Sequence, residues 1–204
     1  MNTEMHYDGT RGWIEVITGS MFSGKTEELL RRLKRAEIAR QTVRLYKPLI
    51  DTRFSMDSVV SHSMHSRGCQ RVADARQILN EVDGCCVVGI DEAQFFKSGL
   101  AEVCRILAER SCRVIVAGLD MDFRGVPFGE MPTLLAQAEY VTKVHAVCTE
   151  CGRPALYSHR ISDEESLIVI GEKDRYEPLC RQCMMLKNYW VDSEFAQGKR
   201  SVAE

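Results

Sequence analysis

The sequence predicts an α/β fold: a parallel sheet flanked by helices, extended by a small four-cysteine subdomain. Three observations carry this expectation. Short apolar runs alternate with amphipathic segments through residues 13–147. A glycine-containing turn joins the first apolar run to the first amphipathic one. Four of the nine cysteines lie late, in two CxxC pairs. The chain has 204 residues, 27% of them charged and 45% hydrophobic. That is ordinary globular usage in a chain long enough to bury a core, which excludes disorder of the whole.

Each element can be justified in order. Residues 13–18 (WIEVIT) are a short apolar run ending at Gly19 and read as a buried strand. From residue 26 to about 40, Leu29, Leu30, Leu33 and Ala36 keep one face apolar against charged neighbours, which predicts an amphipathic helix. Residues 42–46 (TVRLY) read as a second strand, expected to stop at Lys47-Pro48. Residues 49–70 have no clear period and are expected to be a long loop, a feature that is often functional in compact domains. Residues 73–81 predict a helix. Residues 85–91 (CCVVGID) form an almost wholly apolar run, as a central parallel strand does. A helix is expected over 100–110, a buried strand over 112–119 ahead of Asp120, a helix over 133–139 and a strand over 140–147. Strands alternating with helices argue for a parallel sheet covered on both faces. We expect residues 1–147 to form this domain, 148–186 a metal-binding subdomain and 187–204 a polar tail.

The turn after the first strand carries chemistry. Gly19-Ser20-Met21-Phe22-Ser23-Gly24-Lys25-Thr26 fits GxxxxGK[ST] at every fixed position. Glycines let the backbone curl so that successive N–H groups face phosphate oxygens, and the helix N-terminus adds to the field. Lys25 would reach the β- and γ-phosphates, and Thr26 would offer a hydroxyl to Mg²⁺. The motif follows an expected strand and opens an expected helix, the context of a P-loop that binds ATP. The fold expectation sharpens accordingly to a P-loop NTPase-like sheet.

Asp91 and Glu92 sit at the tip of the 85–91 strand, where ligands bind in open α/β sheets. An apolar run ending in Asp downstream of a P-loop is a Mg²⁺-holding pattern, so Asp91 joins Thr26 as an expected Mg²⁺ residue. Glu92 beside it is placed to take a proton from an attacking hydroxyl or water, as a general base does.

Cys148-x2-Cys151 and Cys180-x2-Cys183 are separated by 28 residues. Two such pairs supply four thiolates for a closed, tetrahedral, structural Zn²⁺ site, with no open position for catalysis. Disulfides and a redox pair are the rival readings. An odd cysteine count, and an N-terminus with no apolar leader, favour a reducing cytoplasm and hence metal. Cys69, Cys85, Cys86, Cys104 and Cys112 are scattered and mostly in apolar context, and Cys85, Cys86, Cys104 and Cys112 read as inert core cysteines.

Charge excludes other classes. The formal net charge is −2. Between Cys148 and Cys183, five basic residues face seven acidic ones, a poor surface for a phosphate backbone. No nucleic-acid partner is expected. The longest apolar runs, near 85–90 and 114–119, are far short of the ~18 residues of a membrane span, so no membrane partner is expected either. His62 and His65 are spaced for a metal pair but read more simply as a solvated loop. Arg53 in the same loop reads equally as a phosphate contact or a surface arginine. Phe95, Phe96, Phe123 and Phe128 follow strand tips, where aromatics stack on a planar ring or pack the core.

Together, MFS inside the P-loop, DEAQFF at the acidic tip, GLDMDFRGVPFG after the next strand, and a four-cysteine ribbon with Tyr176 before its second pair form a specific set. Asp51-Thr52-Arg53 and Ser61-His62 belong to it as well. The set resembles the zinc-containing thymidine kinases of the cytosolic type, over residues 13–183. That resemblance implies phosphoryl transfer from ATP to the 5′-hydroxyl of thymidine, for DNA precursor synthesis. It implies Glu92 as the base, Arg53 near the transferring phosphate, and Ala93 and Gln94 beside the nucleotide together with Asp91 and Glu92. It implies a lasso between the cysteine pairs, with Val169, Ile170, Gly171, Glu172 and Tyr176 against the nucleoside. Met21, Phe95, Leu119, Phe123 and Phe128 would complete the pocket. A homotetramer inhibited by dTTP is also implied. Ala93 stands where many relatives carry Gly, and Gly171-Glu172 where many carry a glycine pair; Glu172 tolerates fewer backbone conformations than Gly. From the motif inventory alone, a DNA-stimulated ATPase and a nucleotide-binding switch without chemistry remain the competing classes.

Overall fold

The computed structural model describes residues 11–51, 68–82, 87–161 and 175–187. A six-stranded sheet organises the main body. Its strands are β1 (Trp13–Thr18), β2 (Val43–Pro48), β3 (Gln70–Val72), β4 (Val87–Ile90), β5 (Arg113–Gly118) and β6 (Tyr140–Lys143). They lie in the order β3-β2-β4-β5-β1-β6, and every pairing is parallel. All strands therefore end at one edge, where the loops of interest collect.

Helices cover both faces, as alternation requires. Leu29, Leu33 and Ala36 of α1 (Lys25–Ile38) pack on Ile17, Val43, Val87, Ile115 and Ala117. On the other face, α2 (Arg76–Glu81), α3 (Leu100–Glu109) and α4 (Met131–Gln137) cover Ile14, Val16, Tyr46, Val88, Ile90, Val114 and Val116. Alternate residues of β1 thus serve opposite cores, the pleat period that a doubly covered strand needs. Each fully buried aliphatic side chain contributes roughly 1.5–3 kcal/mol.

One polar residue breaks the apolar run of β1. Glu15 is buried on the α1 face, where Arg113 meets it at 2.6 Å, Arg32 at 2.6 Å and Trp13 Nε1 at 2.8 Å. Burial alone would raise its carboxyl, but hydrogen bonds and charge from Arg113, with Trp13 and Arg32, hold it below the usual range. The cluster ties β1, β5 and α1 together at the end of the sheet opposite the strand tips.

Several boundaries differ from expectation for local reasons. β2 runs through Pro48 rather than stopping at Lys47, because the short strand β3 pairs with it at Tyr46↔Gln70 and Pro48↔Val72. Pro lacks only the donor, and its carbonyl accepts from Asp51 N–H at 3.1 Å. α4 starts at Met131 instead of residue 133, with Pro132 in its first turn, where a missing N–H costs nothing. The expected strand over 140–147 divides. Val144 N–H donates to Thr18 O at 2.8 Å, and the chain then leaves the sheet, so that β7 (Ala146–Val147) pairs with β8 (Pro154–Ala155) instead.

The C-terminal unit is a ribbon of two small antiparallel pairs, β7–β8 and β9 (Tyr157–Arg160) with β10 (Tyr176–Leu179), closed by α5 (Arg181–Leu186). Its own core is Ala146, Cys148, Ala155, Tyr157, Leu179, Cys180 and Met184. β9, β10 and α5 were not among the expected elements. The tail beyond 187, Arg53, His62, His65, Cys85, Cys86 and the lasso residues Val169, Ile170, Gly171 and Glu172 lie outside the described residues.

Candidate active site

β1 delivers the chain to Gly19, and α1 begins at Lys25. Between them the backbone takes left-handed turns at Phe22 (φ 63°) and Gly24 (φ 82°), and Gly19 has φ 146°. A Cβ on Gly19 would lie 2.1 Å from Val144 O, so only glycine lets the loop pass this close to the end of β6. Ser23 Oγ and Lys25 Nζ both donate to the Ser20 carbonyl, each at 2.7 Å. Lys25 is therefore folded over the loop its backbone leaves. Glu27 and Glu28 occupy the first turn of α1, where the helix field favours negative charge.

The ribbon holds this loop from outside. Met21 N–H donates to Ser158 Oγ at 2.9 Å, and Ser20 Oγ reaches Ala155 O at 3.4 Å. Ser158 was not among the expected site residues. A serine in a polar stretch carries no sequence signal for such a contact.

Thr26 and Asp91 meet. Thr26 Oγ1 donates to Asp91 Oδ2 at 3.0 Å, 65 residues away in the chain. Burial, with the neighbouring Glu92 charge, pushes the Asp91 carboxyl up to about 7, against hydrogen bonds from Glu92 N–H and Thr26 and the charge of Lys25. A hydroxyl and a carboxylate side by side are hard oxygen donors of the kind Mg²⁺ takes alongside nucleotide phosphates, so the residues fit that ion.

Glu92 adopts a left-handed conformation (φ 52°, ψ 40°), costly for a side-chain-bearing residue and frequent at functional sites. Its N–H donates to Asp91 Oδ1 at 2.9 Å. Gln94, 2% exposed, orients its carboxylate: Nε2 donates to Glu92 Oε2 at 2.6 Å, while Oε1 accepts from Leu119 N–H at 2.9 Å. The Gln94 amide thus bridges the tips of β4 and β5. Ala93 is buried behind it, and a short 3₁₀ turn over Ala93–Phe95 carries the chain onward.

The pocket residues converge in part. Phe95 and Phe128 meet edge to face with centroids 5.9 Å apart. Asp122 Oδ1 accepts from Arg124 N–H at 2.8 Å and Val126 N–H at 3.0 Å, shaping the turn that carries Phe123. Arg160 stacks on Phe123 and bonds Tyr176, so these two rings share one cation. Two ion pairs, one buried and one with an exposed lysine, escaped the sequence reading. Lys47 lies 3.7 Å from Asp51, and both are almost fully buried. Lys143 Nζ lies 2.6 Å from Asp120 Oδ2. In the sequence Lys47 signals only a strand stop before Pro48. β3, which was not expected, pairs with β2 at this position, Lys47↔Arg71.

Cys148, Cys151, Cys180 and Cys183 place their sulfurs within 4.8 Å of one another. Cys151 and Cys180 are 3.6 Å apart, too far for a disulfide and close to the about 3.8 Å edge of a tetrahedral Zn–thiolate site. Burial raises the Cys148 thiol, but backbone N–H groups from Cys180, Cys151 and Glu150 outweigh it and bring it down to about 6. Hydrogen bonding with Cys151, with partial loss of solvent, pushes the Cys183 thiol up to about 12. The set fits a structural zinc ion. Cys104 and Cys112 are buried in the main core, as expected, whereas Cys69 is exposed.

A parallel sheet with a phosphate cradle at one strand tip and a paired carboxylate at another defines a P-loop nucleotide-binding protein, here joined to a four-cysteine ribbon. A family model described as thymidine kinase matches residues 12–184. The thymidine kinase of Rhodothermus sp. (strain ITI 518) is 55% identical over 179 residues, covering 88% of this chain and 84% of that protein. Those of Bacteroides fragilis (strain YCH46) and Porphyromonas gingivalis (strain ATCC 33277) are 55% and 57% identical, covering 89% and 85% of this chain and 92% and 85% of theirs. The chain belongs to the thymidine kinase family. Among solved structures, the flagellar accessory protein FlaH from Methanocaldococcus jannaschii is similar at a TM-score of 0.49 and 11% identity, over 71% of this chain and 75% of that one, too distant to bear on function.

Proposed function

We propose that the chain transfers the γ-phosphoryl group of ATP to the 5′-hydroxyl of thymidine, giving dTMP and ADP, with Glu92 as general base. The observation that carries this reading is the contact of Thr26 with Asp91 at 3.0 Å, which brings the P-loop and the acidic tip to one point with Glu92 beside them. The 5′-oxygen attacks the γ-phosphorus, the bond to the ADP oxygen breaks, and the 5′-hydroxyl proton passes to the Glu92 carboxylate. Gln94 aims that carboxylate by its 2.6 Å hydrogen bond. Lys25 and the N–H groups of residues 19–26 hold the donor phosphates. Mg²⁺, held by Thr26 and Asp91, would neutralise charge on the β- and γ-oxygens. Arg53 would add charge at the transferring group.

On the acceptor side, Met21, Phe95, Leu119, Phe123, Phe128 and Tyr176, with the lasso from Val169 to Glu172, would enclose the nucleoside. Excluding water there protects ATP from hydrolysis. Zinc on the four cysteines would hold the ribbon, and through it Ser158 and Tyr176. A cytoplasmic homotetramer feeding DNA precursor synthesis, inhibited by dTTP, completes the reading. Its support is the family and, for self-association, the exposed Tyr140 and Val141 on edge strand β6.

The test is ADP release from Mg-ATP with and without thymidine, with plasmid DNA as a parallel additive. Release that requires thymidine is expected. Release driven by DNA and indifferent to thymidine would overturn the reading.

A further inference from the structure

Arg160 is only 5% exposed, on the strand of the ribbon that faces the main body. Its guanidinium carbon lies over the Phe123 ring, 3.6 Å from its centre, a close cation–π contact. Its Nε and Nη2 donate to the Tyr176 hydroxyl at 3.1 and 2.7 Å. Tyr176 is also its antiparallel partner across β9 and β10. One planar cation therefore joins a ring from the loop after β5 to a hydroxyl on the ribbon. These two elements have no covalent connection shorter than the whole of β6 to β9.

The neighbouring cation on the same ring cannot do this. Arg124 approaches Phe123 at 5.0 Å, but it is exposed and belongs to the same loop. Met121 of the loop also packs on the ribbon core, but of the two cations on the Phe123 ring it is Arg160 that spans from loop to ribbon. The geometry also explains the residue type. Arg presents paired donors in a plane that stacks on an aromatic face, whereas Lys is a point charge on a flexible stem. Ser158, two residues earlier on β9, meets the P-loop at Met21. β9 thus touches the phosphate side through Ser158 and the aromatic side through Arg160.

We propose that Arg160 is a positioning residue for the acceptor: its stack on Phe123 and its paired donation to Tyr176 hold two walls of the nucleoside pocket at a fixed separation and so set the affinity for thymidine. This rests on the reading of Phe123 and Tyr176 as pocket walls. It adds a residue that acts through both and need not touch the nucleoside.

The experiment is steady-state kinetics on the full chain with each substrate varied. Arg160→Met should raise the KM for thymidine by roughly ten-fold or more, the scale of losing a desolvated cation–π contact and a charged hydrogen bond. The KM for ATP should stay within about two-fold. Arg160→Lys keeps the charge and most of the stem, so it tests the same point if the methionine variant does not fold. It should show the same split, because Lys restores neither the close contact over the ring nor the paired donors. Combining Arg160→Lys with Tyr176→Phe should cost less than the two single changes multiplied together, since the lysine variant has already lost the link. Unchanged thymidine KM in the lysine variant would overturn the proposal, as would a parallel rise in both KM values together with a lower Tm, the mark of a purely structural role. Phe123→Ala separates the two levels. If it leaves the thymidine KM alone, the pocket reading itself fails and this inference with it. If it raises that KM while Arg160→Lys does not, only the inference fails.

Discussion

Glu92→Gln is the substitution that isolates the chemistry from the fold. The side chains are isosteric, and the left-handed φ of 52° is carried by the backbone in both. The Gln carbonyl oxygen can still accept from Gln94 Nε2, now at 2.6 Å to Glu92, so the side chain keeps its aim. The Glu92 N–H bond to Asp91 Oδ1 is a backbone contact and is untouched. What the variant loses is the ability to take the 5′-hydroxyl proton. A general base contributes about 10²–10⁴ in rate, or roughly 3–5 kcal/mol of transition-state stabilisation. The expected result is a kcat lower by that factor, with the KM for ATP within about two-fold and the Tm within about 2 °C. The assay is coupled ADP release at saturating thymidine, with thermal melting in parallel. A kcat within ten-fold of the parent would refute the assignment of Glu92. An equal loss accompanied by a Tm drop of many degrees would show that the carboxylate served the fold instead.

Three further outcomes are expected. Ser158→Ala removes the acceptor for Met21 N–H at 2.9 Å, and losing about 1 kcal/mol at the P-loop should raise the KM for ATP by roughly five-fold, read from initial rates against ATP. Elemental analysis should find about one zinc per chain, which Cys148→Ser should abolish together with a lower folded yield; full stability of the metal-free protein would contradict a structural zinc. Glu15→Gln leaves Arg113 without its carboxylate while Arg32 keeps Glu28 at 2.8 Å, costing about 1.5–3 kcal/mol and some 3–12 °C in Tm. Because the folded Glu15 carboxyl is held below its ordinary value of 4.5, its contribution is complete above that value and is lost as pH falls through the lower folded one. Melting curves of the parent should therefore fall more steeply with acid below about pH 4.5 than those of the glutamine variant.

Much of the molecule was legible because its signals are local. The P-loop needs only eight contiguous residues, since its glycines and the following helix create the cradle by themselves. The two CxxC pairs bring their own spacing, and the alternation of apolar runs with amphipathic helices is enough to state a doubly covered parallel sheet. Asp91 was readable as a strand-tip acid from the run before it. Short, tertiary-dependent elements were not readable. β3 is three residues long, and β9 and β10 exist by pairing with each other across residues that show no strand pattern. Their stability comes from long-range contact, which no local window contains.

The sequence by itself determined the class of site: a P-loop, a strand-tip acid with a second acid beside it, and four cysteines spaced to hold one metal ion. Tertiary structure alone decided how they are assembled. Gln94 holds Glu92 because Leu119 N–H, 25 residues on, fixes its other end. Lys47 and Asp51 meet at 3.7 Å, both buried, at the end of β2 beside β3. The ribbon grips the P-loop through Ser158 and the aromatic loop through Arg160, residues that in sequence are an ordinary serine and one arginine among many. The physical reason is the same in each case. A hydrogen bond or a stacked cation depends on where distant backbone segments come to rest, and only the packed sheet and its ribbon bring those segments to one edge.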